Sequence, residues 1–168
     1  MNLQADPVRI LLAALSHERI KAPIGPWLDS PDLAGWLLRN GKHYDWLTDK
    51  LPDGVRTGKT GHCYGEAQEN ALKCPRLIYC EGYAAADGEQ YPVPHAWCLD
   101  RNRMFGVVDT VWRNRQSPNR IYFGVPFQKS LVRKFRDKPG RDMSLLLWSE
   151  EEWPIQSGKI SELEWREA

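Results

Sequence analysis

No stretch of this 168-residue sequence approaches the roughly 20 consecutive apolar residues that a membrane-spanning helix requires. Residues 1–21 hold a short apolar run, but no basic stretch precedes it and no small-residue cleavage site follows. They read as an amphipathic helix rather than an export signal. These absences lead to the expectation of a cytoplasmic protein without a membrane partner, whose thiols stay reduced. An excess of charge of one sign is also missing. With 23 basic against 22 acidic residues the net charge is +1, which argues against a nucleic-acid partner. Basic residues do crowd one stretch (Arg113, Arg115, Arg120, Lys129, Arg133, Lys134 and Arg136), best read as a solvated surface. The four cysteines, at 63, 74, 80 and 98, include no CxxC pair, and their number alone implies no disulfide framework. Internal repeats and low-complexity tracts are absent as well.

What is present is enough apolar material for one packed core: 42% of residues, eight of them tryptophan. The length suits a single domain, residues 1–168, with a helical N-terminal part (1–50) and a core over 55–135. Asp6-Pro7 and Ser30-Pro31 are helix starts, and Asn40-Gly41 closes the second helix. The glycine-rich segment LPDGVRTGKTG, residues 51–61, predicts a loop leading into a third helix. That helix begins near Cys63, buries Tyr64, Ala67, Ala71 and Leu72 on one face, and ends at Cys74-Pro75. Strands are expected at 77–83, 95–99, 105–109, 121–127 and 130–135, and a last one at 143–148. The fold class is therefore α+β, N-terminal helices followed by an antiparallel sheet.

Three residues stand out chemically. Cys63 lies at a predicted helix start, where free N–H groups and the positive dipole end favour a thiolate, the nucleophilic form. His95 follows Pro94 at the opening of a strand, which suggests a sheet edge or pocket rim. If Leu99 pairs with Phe105, Trp97 with Val107 and His95 with Asp109, all six side chains share one face. Directly opposite residues hold their Cβ atoms about 4.5–5.5 Å apart, so Asp109 could take the imidazole N–H. A one-residue slip would put the acid on the other face, so the connecting loop must be odd in length. The competing reading of Asp109 is a strand-end acid capping the turn at Thr110 or Trp112.

The segment PHAWCLDRNRMFGVVDTVW resembles the His–Asp hairpin of the transglutaminase-like branch of the papain-like cysteine protease superfamily, and RTGKTGHCYGEA resembles its Cys block. The resemblance covers residues 55 to 112. It implies a papain/transglutaminase-like core with Cys63 as nucleophile, His95 as general base and Asp109 as orienting acid. It also implies thioester chemistry on a peptide, isopeptide or glutamine side-chain amide, in a protein or peptide substrate and without a cofactor. Trp97, Trp112 and Tyr64 are the expected substrate contacts. The proline that usually follows the acid is replaced here by Thr110, and Tyr44, Trp46 and His43 are the upstream options for an oxyanion partner. Two rival readings remain. One is a zinc site drawn from Cys63, Cys74, Cys80, His95 and Cys98, in which only His95 and Cys98 are closely spaced. The other is a non-catalytic module with Trp97, Trp112, Tyr122 and Phe123 lining a peptide groove.

Overall fold

A computed structural model describes residues 31–46, 50–86, 92–112, 120–136 and 143–146. The expected first helix, the Asp87-Gly88 break, and Arg113 and Arg115 lie outside these residues. Helix α1 (Pro31–Asn40) ends where Asn40 Nδ2 donates to the Trp36 carbonyl and Gly41 N to that of Leu37. Strand β1 (Lys42–Tyr44), which the sequence reading missed, follows before the loop at 51–61. Helix α2 spans Cys63–Lys73. Glu66 in its first turn and Lys73 in its last complement the helix dipole. Pro75 forces Cys74 into extended backbone and stops it. The remaining elements are β2 (Leu77–Ala86), β3 (Val93–Asp100), β4 (Gly106–Val108), β5 (Arg120–Phe127) and α3 (Lys129–Arg136). The fold is α+β, although β1 between the helices breaks the expected order of helices first and sheet after.

The strands form an antiparallel sheet in the order β1-β5-β2-β3-β4. Its two edges meet: Trp46 bridges Val107, and Val107 N donates to the Asp45 carbonyl at 2.9 Å. The sheet is thus curled, with an inner and an outer face. Tyr44, Ile78, Cys80, Trp97, Leu99, Val107 and Tyr122 fill the inside. On the outer face, Tyr79, Tyr83, Cys98, Phe123 and Phe127 pack against Leu37 of α1, Ala67 and Ala71 of α2, and Leu131 and Val132 of α3. Because both faces are covered, every residue of β2 is buried.

Tight curling needs one place where backbones approach closely, and a glycine pair provides it. Gly82 and Gly124 lie directly opposite each other on β2 and β5. A Cβ at Gly82 would sit 2.1 Å from the Phe123 carbonyl oxygen, and one at Gly124 would sit 2.2 Å from that of Glu81 and 2.8 Å from Trp97 Cη2. Backbone cannot move aside as a side-chain tip can. Gly124→Ala is therefore expected to reach the upper end of the roughly 1–3 kcal/mol typical of overpacking, or exceed it. Urea denaturation would measure this, and a loss under about 0.5 kcal/mol would contradict the close crossing.

Three expected strands need correction. Residues 130–135 belong to helix α3, not to a strand. Leu131 and Val132 are buried and Phe135 packs beside them, a spacing that fits one helix face. Residues 143–146 are irregular rather than extended. The strand expected at 105–109 is only Gly106–Val108, and its register is shifted by two residues: Leu99 pairs with Val107 and Asp100 with Gly106. The shift arises because Met104 and Phe105 adopt left-handed backbone (φ 52° and 60°) and join the turn, making a five-residue connection. Asp100 braces that turn by accepting from Asn102 N and from the Arg76 guanidinium through both its oxygens.

Candidate active site

A shift of two residues keeps the parity of a strand. His95, Trp97, Leu99, Val107 and Asp109 still share the inner face, and His95 meets Asp109 diagonally rather than directly across. His95 Nε2 lies 2.7 Å from Asp109 Oδ2. His95 pairs directly with Gly82 on β2. It is not at a rim: His95 is 2% exposed and Asp109 3%. The curled sheet and the indole of Trp112, stacked on the imidazole at 4.5 Å, enclose the pair.

Asp109 makes both of the contacts that the sequence offered for it. Its Oδ1 accepts from the amides of Val111 (2.9 Å) and Trp112 (3.0 Å), which caps the turn after β4. Its Oδ2 accepts from His95 and from the hydroxyl of Tyr122 at 2.9 Å. The amide of Val111 takes part in the cap, an arrangement that does not need the proline usual in the family the sequence resembles. Burial alone would raise the pKa of Asp109, but the His95 charge and these hydrogen bonds outweigh it and hold the carboxyl below its ordinary value. For His95, burial alone would lower the pKa. The charge and hydrogen bond of Asp109, joined by Cys63, win and raise it to about 10.

Cys63 opens α2 and is half-buried. Its thiol lies near enough to the His95 ring to join Asp109 in raising the imidazole's pKa. Since Asp109 occupies Nε2, Nδ1 is the nitrogen left for the thiol. The loop before α2 is tied to the acid's turn: Gly58 N donates to the Thr110 carbonyl at 2.9 Å, and a Cβ at Gly58 would meet Thr110 Oγ1 at 3.0 Å. Lys59 N donates to Glu66 of the first helical turn, and left-handed Gly61 (φ 84°) turns the chain into the helix. The loop before Cys63 and the turn after Asp109 are thereby held in one arrangement, although they are far apart in sequence.

The expected substrate contacts are placed differently. Trp97 is 1% exposed and Trp112 7%, so both wall the imidazole rather than line an open groove. Tyr64 is half-buried against the outer core. Tyr122 and Phe123, the other groove aromatics, are buried on opposite faces of β5. Of the upstream oxyanion options, Tyr44 packs inside the curled sheet, Trp46 lies under Arg120, and His43 meets Phe123 edge-on. The five zinc donors do not converge. Cys63 and Cys74 flank α2 at opposite ends, Cys80 faces inward, and outward-facing Cys98 donates to the Ala67 carbonyl. Among the described residues no group of three His, Cys, Asp or Glu side chains is placed to hold a metal ion. No described helix is long and apolar enough to cross a membrane. The basic stretch is partly engaged: Arg120 is buried over Trp46, Lys129 donates to the Cys74 carbonyl, and Arg136 pairs with Glu69.

Tyr122 is the partner of Asp109 that sequence reasoning did not place there. The usable signal was its parity on β5 once Gly124 is set opposite Gly82, a pairing that no local pattern specifies. The chain matches no family model, and comparisons with curated proteins and with solved structures returned no match.

Proposed function

We propose that the protein is a cytoplasmic cysteine hydrolase or acyltransferase acting on an amide through Cys63, His95 and Asp109, on a papain/transglutaminase-like core. The observation that carries this reading is a buried His95–Asp109 pair with one ring nitrogen bound to the acid and the other left for the half-buried thiol at a helix start. A core histidine satisfied only structurally has no need of a neighbouring cysteine delivered by a separate loop and helix. In the proposed cycle the thiol proton passes to His95 Nδ1 and Cys63 Sγ attacks the amide carbonyl carbon. Asp109 stabilises the imidazolium and fixes its plane. The imidazolium then gives that proton to the departing amine as the C–N bond breaks, leaving a thioester on Cys63. Water, activated by the neutral ring, releases the acid; a second amine in its place would give transamidation. The backbone N–H of Cys63 is the proposed oxyanion donor.

The test is the rate of iodoacetamide modification at each cysteine. Cys63 is expected to label at least tenfold faster than Cys74, which is similarly half-buried, and His95→Ala should remove that advantage. The tenfold figure corresponds to about 1.4 kcal/mol of activation. Equal rates for the two cysteines, unchanged in the variant, would leave a non-catalytic binding module as the better account.

A further inference from the structure

We infer that Tyr122 is a positioning residue for the Cys63–His95 pair, acting through Asp109; this rests on the thiol-enzyme reading above. The amides of Val111 and Trp112 hold Oδ1, but two bonds to one oxygen leave the carboxylate able to swing its other oxygen. Tyr122 removes that freedom. Its hydroxyl donates at 2.9 Å to Oδ2, the same oxygen that meets His95 Nε2 at 2.7 Å, so it fixes the lone pair that aims the ring. Tyr122 comes from β5 and is separated from β3 by β2 in the sheet order. Its side chain crosses the inside of the curled sheet beside the Gly82–Gly124 row, where no Cβ intervenes.

Its own surroundings are built for this. The Tyr122 ring is fully buried and packs edge-on against Trp97 at 5.1 Å, which restricts its rotation. Arg120, two residues earlier on the same strand, stacks over Trp46 at 4.3 Å, and its positive charge acts on the Tyr122 hydroxyl. A cation near a hydroxyl polarises it towards donation, and hydrogen bonds then run from Tyr122 through Asp109 to His95. A tyrosine held only by packing would require neither the acceptor nor the arginine.

The test compares wild type with Tyr122→Phe, which keeps the ring and deletes the donor. Two readouts are taken: iodoacetamide labelling of Cys63, and the downfield proton resonance of His95 Nε2–H. The expected result is a roughly tenfold slower labelling, the scale of one charge-assisted hydrogen bond, and a shifted resonance in a folded variant. Biosynthetic 3-fluorotyrosine, a stronger donor, should move the resonance in the opposite direction, and it serves where Tyr122→Phe fails to fold. An unmoved resonance in both materials overturns the inference whatever Cys63 does. Slow labelling of Cys63 in wild type, with the resonance moving as expected, overturns the enzyme reading and leaves Tyr122 as the residue that sets the His95–Asp109 geometry.

Discussion

Asp109→Ala is expected to destabilise the fold by about 3–5 kcal/mol, the range for removing one partner of a buried ion pair. The carboxylate is buried and accepts four hydrogen bonds, so its loss strands two amides, a buried hydroxyl and an imidazole together. For a chain of this size the fall in Tm should be roughly 10 °C or more. The pH dependence carries a definite sign. Asp109 has a depressed folded pKa, so its stabilisation is present above the ordinary value of 3.8 and is lost as pH falls through the folded one. His95 has a raised folded pKa, so its stabilisation is fully present below 6.5 and is lost as pH rises through about 10. Wild type should therefore lose stability between pH 6.5 and pH 10. Asp109→Ala should lose less over the same interval, because the charge that raised the histidine is gone. Urea unfolding at both pH values measures this. Equal slopes for the two proteins, or a loss below about 1 kcal/mol in the variant, would rule out a charged buried pair.

A second large effect is expected at Glu81, on the outer face of β2 and 1% exposed. Each of its oxygens takes two donors. Oε1 accepts from the Tyr79 hydroxyl and from Leu145 N (2.6 Å), and Oε2 from the Ser144 hydroxyl and from Leu146 N (3.1 Å). Burial raises its pKa while these four hydrogen bonds oppose the rise. An ionised carboxylate has only acceptors and matches four donors; an amide presents its own N–H groups to two of them. Glu81→Gln should thus cost nearly as much as Glu81→Ala, at least about 3 kcal/mol, since each buried donor left unpaired costs about 1–3 kcal/mol. The amides of Leu145 and Leu146 should exchange with solvent faster in both variants. If Glu81→Gln stays within about 1 kcal/mol of wild type, the side chain is protonated and one of the two hydroxyls accepts rather than donates.

The residues 143–146 that Glu81 holds also mark the limit of what the sequence made legible. Glu81 is the lone acid in an otherwise apolar strand, and nothing local indicates that it receives a segment more than sixty positions away. Elements set by local chemistry were readable: α1 and α2 start and stop at proline, asparagine and glycine signals, and β2, β3 and β5 follow from their apolar runs. The inward parity of His95 and Asp109 was readable too, because a period of two survives a two-residue error in register. The register itself was not, since it depends on Met104 and Phe105 adopting a backbone that non-glycine residues seldom take. Helix α3 was misread although its apolar positions 131, 132 and 135 fit a helix face, because the segment is only eight residues long and Leu131 and Phe135 alone fit a strand period. The burial of His95 was missed for a related reason. Pro94 suggested an edge, whereas a curled sheet places that part of β3 against Trp112 and Tyr122.

The layering of the molecule has a consequence for when reactivity arises. Cys63 rides on a helix packed outside the curled sheet, while His95 and Asp109 are held within it. Two ties between distant parts of the chain, Gly58 to Thr110 and Trp46 to Val107, bring the two halves together. Long-range pairings of this kind carry a loop-closure cost that local helices do not, so they form late. In a chain emerging from synthesis, or one partly unfolded, these three side chains are apart. In the proposed enzyme, folding itself assembles the reacting groups, and they meet only once the sheet has closed.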